Sequence, residues 1–254
     1  MTNIGVAQNV QLLVNGSDIT YSVTFTCMNA IYDANNPCKG NKMETANITI
    51  RKEITQDELW KINAKHDTWL HDNTKGERAC FDRAFLYGLN LSDMNLSYAT
   101  FIDSNIAKCN MEDSIMIETN FSNSKLSDID ARDADFDSAN FTRANIVDTN
   151  LSGADFFNAI FNKVLLGNVN FAYANLTNAN LILAGYDSRG YMFYAYLNSD
   201  GIIEIRAGCR QYYGLEEARN HWRTQHPYNK VLTEEIMCNL DKIERVAKVR
   251  GWIE

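Results

Sequence analysis

Proline, long apolar runs and catalytic motifs are scarce in this sequence of 254 residues. It contains two prolines, so no proline-rich linker divides the chain. No apolar stretch approaches the ~18 residues that a membrane-spanning helix needs. The first residues, MTNIGVAQNVQLL, lack the basic start and apolar run of a secretory signal. The sequence therefore predicts a soluble, cytoplasmic protein without a membrane partner.

The six cysteines are scattered, with no C-x-x-C motif and no cysteine–histidine spacing that suits zinc. This pattern predicts reduced thiols in a reducing compartment and no metal site. Cys27 and Cys38 are the only pair close enough in sequence to suggest a disulfide.

No histidine lies in an H-E-x-x-H motif, and neither G-x-S-x-G nor a glycine-rich phosphate loop occurs. Cys209 and His221 would form a nucleophile and its base only if the fold joined them. The alternative places Cys209 at a strand end and uses His221 and Trp222 to close a small helical core. We favour the alternative, which predicts a protein that is not an enzyme and needs no cofactor.

A large apolar residue returns at every fifth position from Phe81 to Leu181, through 21 consecutive positions. A helix would repeat its apolar face every 3.6 residues and a strand every 2, so neither explains this period. Eight of these central residues are Phe and eight are Leu, and only Ala131 is small. The residue two places earlier is mostly small, and the residue between them is usually Asn or Asp.

Units such as "ADFFN" at 154–158 and "ANLTN" at 174–178 closely resemble the pentapeptide-repeat family, A(D/N)LXX, over about two-fifths of the chain. The resemblance implies a right-handed quadrilateral β-helix with four repeats in each coil, so that equivalent sides recur every 20 residues. At that spacing the sequence gives a phenylalanine column beside an aliphatic column: Phe81, Phe101, Phe121, Phe141 and Phe161; Leu86, Ile106, Leu126, Ile146 and Leu166. Stacked coils select such columns, because each side chain packs on its counterparts above and below. We therefore expect a mainly β protein with about five coils, ~25 Å long at the ordinary strand spacing.

Local signals place smaller elements on both sides of the repeats. Asn15-Gly16 and Asp200-Gly201 predict hairpin turns, and Thr55 with Glu58 has the spacing of a helix capping box. An open β-helix exposes unpaired strand edges at its ends, so caps are required there. We predict four regions, a β-rich N-terminal domain, a capping helix with linker, the β-helix, and a C-terminal hairpin with two helices: 1–54, 55–78, 79–185 and 186–254.

The C-terminal segment "GYDSRGYMFYAY…IRAGCR…EEARNHW" resembles a segment of phage-type pentapeptide-repeat proteins. The resemblance implies a viral origin for the chain. The local signals on both sides of the β-helix predict small α+β domains there.

Acidic residues concentrate in the repeats. The net charge is −8, and residues 79–185 carry thirteen acids against six bases. Such a surface argues against direct nucleic-acid binding, which requires positive charge. When the acids are sorted by 20-residue columns, most fall on adjoining sides, whereas the first side carries Arg83, Arg143 and Lys163. The predicted partner-binding residues are Asp93, Asp113, Asp133, Asp128, Asp148, Asp130, Asp135, Asp137 and Asp155.

Stacked like charges destabilise a sheet, so a column that keeps them is a candidate for function. The alternative is that the family consensus itself favours Asp beside the central residue. Against it, Asp93, Asp113 and Asp133 lie two places after the central residue, where the consensus makes no demand.

These charges suggest a non-enzymatic binding protein that mimics DNA: a phage-encoded inhibitor that occupies the nucleic-acid site of a host nuclease, CRISPR effector or topoisomerase. The resemblance implies this role, because the fluoroquinolone-resistance members of the family present an acidic rod to DNA gyrase. The short rod and the absence of projecting loops argue against gyrase here. Counter-defence is therefore the preferred interpretation.

Two other classes stay open. A structural or assembly module of a phage particle would use outward apolar residues such as Ile115, Ile117 and Phe157 for contacts. A small-molecule-sequestering protein would need a pocket at a domain junction. A homodimer is compatible with each class.

Overall fold

The computed structural model describes residues 21–23, 50–198, 200–208, 210–225 and 230–254 of the 254-residue chain. The predicted hairpin turn at Asn15-Gly16, the Cys27 and Cys38 pair and Cys209 lie outside the described residues.

Eleven strands and three helices are present in this part of the chain. In chain order they are β1 Tyr21–Val23, β2 Ile50–Ile54, α1 Gln56–His71, β3 Ala84–Tyr87, β4 Asn105–Ala107, β5 Lys125–Ser127, β6 Asn145–Asn150, β7 Leu165–Asn170, β8 Leu181–Tyr186, β9 Met192–Leu197, β10 Ile203–Ala207, β11 Arg210–Tyr213, α2 Leu215–Gln225 and α3 Lys230–Val249. Strands β1 to β7 form one sheet in sequence order, and β8 to β11 form a second, antiparallel sheet. No helix in the described segments is both long and apolar enough to cross a membrane.

The repeats form the predicted right-handed quadrilateral β-helix, with small α elements at its ends. Residues 20 apart pair in parallel: four successive steps connect Leu86 to Ile106, Leu126, Ile146 and Leu166. We name the four sides by their first central residues, so that the first, second, third and fourth sides begin at Phe81, Leu86, Leu91 and Leu96. Bridges between residues 20 apart recur on the first, third and fourth sides as well.

Phenylalanine rings fill the interior of the β-helix. Along the first side each ring stacks on the next, with centroids 4.6, 4.9, 5.1 and 5.2 Å apart from Phe81 to Phe161. Phe136 and Phe156 on the fourth side meet these rings edge-on or tilted, an arrangement that aromatic quadrupoles favour. The predicted phenylalanine column is confirmed, and with it the assignment of four repeats to each coil.

Asn and Asp side chains before the central residues satisfy the corners of the coils. At ten corners the side-chain Oδ1 accepts a hydrogen bond of 2.8–3.3 Å from the backbone N–H two residues later. This local turn explains why short amide and carboxylate side chains recur at that position.

Helix α1 covers the first coil. Thr55 and Glu58 form the predicted capping box at its start. Gln56 pairs with the backbone of Asn90 through both amide atoms, at 2.8 and 3.0 Å, and so satisfies a strand edge at this end of the third side. His66 is buried, and its Nδ1 accepts a hydrogen bond from the Ala79 N–H at 3.2 Å.

The antiparallel sheet covers the other end. Leu181, Tyr194 and Tyr196 on one face belong to the core of the β-helix. The opposite face packs against α2 and α3 in a separate core that includes Phe193 and Ile236. This sheet explains why β9 is buried on both faces.

The hairpin predicted at Asp200-Gly201 joins β9 to β10. The sheet is larger than that hairpin, because β8 continues directly from the last repeat and β11 adds a fourth strand. The two predicted C-terminal helices are α2 and α3, and α3 buries Ile236, Leu240, Ile243 and Ala247 on one face.

Candidate functional site

Charged side chains are segregated around the β-helix. The third and fourth sides carry nine acids and one base: Asp93, Glu112, Asp113, Asp130, Asp133, Glu118, Asp135, Asp137 and Asp155, with Arg132. The first and second sides carry four acids and five bases: Asp82, Asp103, Asp128 and Asp148, with Arg83, Lys108, Lys125, Arg143 and Lys163. We call the third and fourth sides, together with Asp128 and Asp148 at the adjoining corner, the acidic face.

The backbone conformation restricts which residues fit two places after the central residue. That residue has a positive φ in every repeat from Arg83 (56°) to Asn178 (58°). Asp, Asn and Gly adopt this left-handed conformation most readily. They occupy twelve of the twenty positions, including Asp93, Asp113 and Asp133. The backbone therefore gives Asp at this position a structural reason that the family consensus alone did not supply. The backbone explains a short side chain at this position but leaves the choice of a charged one unexplained.

Other acids of the predicted set have structural partners. Asp135 and Asp155 accept the corner hydrogen bonds from Asp137 N–H (3.0 Å) and Phe157 N–H (2.8 Å). Asp155 also accepts a bond of 2.9 Å from the Asn175 amide. Asp137 accepts a bond of 2.7 Å from the Ser138 hydroxyl. These carboxylates contribute charge to the acidic face while serving the fold.

Arg132 lies within the acidic face and neutralises part of it. Its guanidinium contacts Asp130 and Glu112, each at 2.9 Å. The hydrogen bond to Asp130 and the charges of both carboxylates raise the pKa of Arg132. Sequence reasoning missed this contact, although the 20-residue register places Arg132 directly beside Glu112.

Five acids of the predicted set are exposed, all at left-handed positions: Asp93, Asp113, Asp133, Asp128 and Asp148. The Asp148 Oδ1 accepts a hydrogen bond of 2.8 Å from the Asn168 amide one coil below. Asp133 leans towards Gly153 in the next coil, where a Cβ would overlap its Oδ1. Of the nine acids in the predicted set, these five carboxylates are therefore the ones most open to solvent.

Apolar side chains lie among the acids of the fourth side, which are Glu118, Asp135, Asp137 and Asp155. Ile115 is exposed, and Ile117 and Phe157 are half-buried. The fourth side thus combines negative charge with a small apolar surface.

Cys209, the nucleophile of the disfavoured pairing with His221, lies outside the described residues. His221 contacts the rings of Tyr212 and Trp222 with centroids 5.2 Å apart in both cases. Trp222 is buried in the C-terminal core. Among the residues described, no group of three or more His, Cys, Asp or Glu side chains is arranged to hold a metal ion.

The family model for pentapeptide repeats matches residues 77–113, 114–153 and 149–184. Residues 77–184 are pentapeptide repeats. Every residue of the acidic face lies within this pentapeptide-repeat region, whereas the antiparallel sheet beyond Leu181 and helices α2 and α3 lie almost entirely outside it. A search of curated protein sequences found no match.

Solved pentapeptide-repeat structures are similar to parts of this chain. A protein of the Arabidopsis thaliana thylakoid lumen is 27% identical over 37% of this chain and 63% of its own, with a TM-score of 0.30. Rfr23 of the cyanobacterium Cyanothece is 26% identical over 39% of this chain and 60% of its own, with a TM-score of 0.21. QnrB1, a plasmid-mediated fluoroquinolone resistance protein, is 18% identical over 40% of this chain and 67% of its own, with a TM-score of 0.19. The chain thus spans less than two thirds of the length of the first two structures.

Proposed function

We propose that this protein is a non-enzymatic binding protein whose acidic face occupies the basic nucleic-acid-binding groove of another protein. Pentapeptide-repeat proteins are generally structural or binding proteins, and a non-enzymatic role agrees with this. The setting that we propose is inhibition of a host nuclease, CRISPR effector or topoisomerase by a phage protein. That setting rests on the resemblance of the C-terminal segment to phage-type proteins.

The segregation of charge is the observation that carries the proposal. The third and fourth sides hold nine of the thirteen acids of residues 79–185 and one of the six bases. Fold requirements do not explain this, because all four sides have the same backbone and each side has left-handed positions. At those positions the first side carries Arg83, Arg143 and Lys163, whereas the third side carries Asp93, Asp113 and Asp133.

Asparagine would serve the left-handed backbone as well as aspartate, and it would do so without repulsion between coils. The column nevertheless carries aspartate three times in succession, at Asp93, Asp113 and Asp133. A partner of opposite charge explains why this column carries aspartate rather than asparagine, which the fold does not explain.

The partner is best described by its charge and shape. Coils repeat at the strand spacing of ~4.8 Å, whereas phosphates lie ~3.4 Å apart along one DNA strand, so the two ladders do not stay in register. Long-range attraction to a basic groove therefore matters more than atom-by-atom mimicry. Ile115, Ile117 and Phe157 give the fourth side an apolar contact that DNA lacks, and this contact favours a protein groove with apolar edges.

The test compares three baits in pull-downs from the cytoplasm of the host cell: the wild type, Asp113→Asn/Asp133→Asn/Asp148→Asn, and Asp103→Asn. The triple variant keeps the left-handed positions satisfied and removes three charges from the acidic face. Asp103→Asn makes the same chemical change at a left-handed position of the first side (φ 56°) and is the matched control. Each captured protein is then challenged with duplex DNA and with salt.

We expect the wild type and Asp103→Asn to retain the same nucleic-acid-binding protein, with release by DNA and weaker binding above ~0.15 M salt, where the Debye length is ~8 Å. The triple variant should lose it. Equal capture by all three baits at low and high salt would refute the role of the acidic face. Capture of capsid or tail components by all three would instead support the structural module.

A further inference from the structure

The last coil of the β-helix has an edge that the C-terminal sheet leaves partly uncovered. In the preceding coil the N–H groups of Leu151, Gly153, Phe156 and Asn158 donate to carbonyls of the next coil at 2.8–3.1 Å. The equivalent groups of the last coil belong to Phe171, Tyr173, Leu176 and Asn178. Within the described part of the chain none of these four N–H groups has a hydrogen-bond partner, and the Ala174 carbonyl has none either.

Side chains, rather than a strand, cap several other groups of this edge. The Tyr194 hydroxyl donates to the Val164 carbonyl (3.2 Å) and accepts from the Leu166 N–H (3.1 Å), and the Tyr186 hydroxyl donates to the Val169 carbonyl (3.2 Å). Towards the end of the coil, the Arg250 guanidinium donates to the carbonyls of Leu176, Ala179 and Leu181 at 2.7–3.2 Å. The four uncovered N–H groups of residues 171–178 have no such cap among the described residues.

A cleft of about 690 Å³ opens beside this segment, between the last two coils, β8 and helix α3. The apolar lining of the cleft includes Phe171, Leu183 and Met192, and its polar lining includes Asp148 and Lys242. Phe171 is the central residue of its repeat, yet it is only half-buried, unlike Leu151 one coil above it. Tyr173 is 97% exposed next to it.

We propose that residues 171–178 and the adjoining cleft form a docking site for an extended peptide segment of a partner protein, which binds as an added strand below the last coil. The segment supplies backbone carbonyls to the N–H groups of Phe171, Tyr173, Leu176 and Asn178 and a backbone N–H to the Ala174 carbonyl. The same pattern of bonds already holds each coil to the next, so the fold itself specifies the geometry of the occupant.

The surroundings define the side chains of the occupant. Apolar residues five places apart would cover Phe171 and Leu176, as central residues do throughout the β-helix. Lys or Arg on the outward side would meet Asp148 at the cleft. An extended backbone suits the free donors better than a small molecule does, because they recur with the two- and five-residue spacing of a coil.

The first measurement is amide hydrogen exchange on the whole protein. We expect Phe171, Tyr173, Leu176 and Asn178 to exchange at least tenfold faster than Leu151, Gly153, Phe156 and Asn158, because only the second group is hydrogen-bonded. Protection of both groups in the free protein would overturn the proposal. If that protection grows with protein concentration, a second copy of the chain covers the edge.

The second measurement adds a probe peptide with the sequence of residues 168–180, NVNFAYANLTNAN, followed by two lysines for solubility. This peptide repeats the spacing of carbonyls that the preceding coil receives. We expect it to slow exchange at the four amides of the last coil at least tenfold, whereas a scrambled peptide of the same composition leaves them unchanged. Binding without protection at these amides would place the peptide elsewhere and refute the site.

Matched variants locate the site independently. Ala172→Arg extends a long side chain into the cleft, and Ser92→Arg makes the same change in the same column at the far end of the β-helix. Arginine is compatible with this column, because Arg132 occupies it naturally. We expect Ala172→Arg to weaken probe binding at least tenfold and Ser92→Arg to leave it within twofold, with equal thermal stability. Equal binding by both variants would exclude the cleft.

This site lies at the lower end of the third and fourth sides and shares Asp148 with the acidic face, but the two proposals can be tested apart. Asp113→Asn/Asp133→Asn removes charge from the acidic face without touching the cleft, and it should leave probe binding within twofold. Failure of one proposal therefore does not decide the other.

Discussion

The Asp133 carboxylate occupies the space that a side chain at Gly153 would need, one coil below. Gly153 also has a φ of +74°, which disfavours residues with a Cβ. Gly88 has a similar φ of +65°, but a Cβ there would meet no atom within 4 Å. The two glycines therefore separate the cost of the backbone conformation from the cost of the contact.

We predict that Gly88→Ala lowers the free energy of unfolding by about 1–2 kcal/mol, the cost of the left-handed conformation alone. Gly153→Ala should cost more, because it also displaces Asp133. Urea unfolding of both variants, and of Gly153→Ala combined with Asp133→Ala, measures the difference. Equal losses for the two glycines would show that Asp133 moves aside freely.

The phenylalanine column should dominate the stability of the β-helix. Phe141 stacks between Phe121 and Phe161 with centroids 5.1 and 5.2 Å away and is almost fully buried. We predict that Phe141→Ala lowers the free energy of unfolding by about 3–5 kcal/mol. Ile160→Ala, at an exposed corner position beside it, is the control and should cost less than about 1 kcal/mol. Similar losses for both variants in urea unfolding would contradict the stacked core.

Periodicity makes the β-helix predictable, because each side of a coil needs one large central residue and the columns reveal the number of sides. The phenylalanines at 20-residue intervals are enough to give four repeats to each coil. The left-handed position has an equally regular composition, and the sequence-based prediction did not use it. Asp, Asn or Gly follows the central residue by two places in twelve of twenty repeats, which is the composition that a positive φ selects.

The end caps are harder to predict, since they depend on contacts without a period. Strand β8 resembles one more repeat, because Leu181 keeps the five-residue register. The turn between Asp187 and Tyr191 sends the chain back beside it instead. The free charge of the acidic face is hard to judge for a different reason. The 20-residue register places Arg132 beside Glu112, so a count of acids alone overstates that charge.

His66 should make stability depend on pH. Burial lowers its pKa against a smaller opposing effect of the Ser97 backbone. The unfolded chain, with the ordinary histidine pKa of ~6.5, therefore binds a proton more readily than the folded chain. The stabilising contribution is present above about pH 6.5 and is lost as the pH falls from there towards the lower pKa of the folded state.

We predict that the free energy of unfolding decreases between about pH 7 and pH 5, with a contribution from His66 of at most ~1.4 kcal/mol per pH unit. Replacing His66 with Asn, which preserves an acceptor for the Ala79 N–H, should flatten this part of the profile. His71→Asn, at the exposed end of the same helix, is the control and should leave the slope unchanged. Parallel slopes in all three proteins would assign the pH dependence to other groups.

A substitution at Arg132 should change the stability of the protein and its binding to a basic partner in opposite directions. The contacts of Arg132 with Asp130 and Glu112 are partly exposed, and solvent screening leaves ion pairs of this kind with little effect on stability. Arg132→Gln should therefore lower the free energy of unfolding slightly, because two carboxylates lose their counterion. The same change removes the only base from the third and fourth sides of the β-helix.

If the acidic face binds a basic groove, Arg132→Gln should bind the captured partner more tightly than the wild type does, and the gain should shrink as salt rises. Asp113→Asn/Asp133→Asn/Asp148→Asn should show the reverse: weaker binding with equal or greater stability, since repulsion within the column is relieved. Binding and unfolding measured on the same preparations test both signs at once. Variants whose binding follows their stability instead would assign these acids to the fold alone.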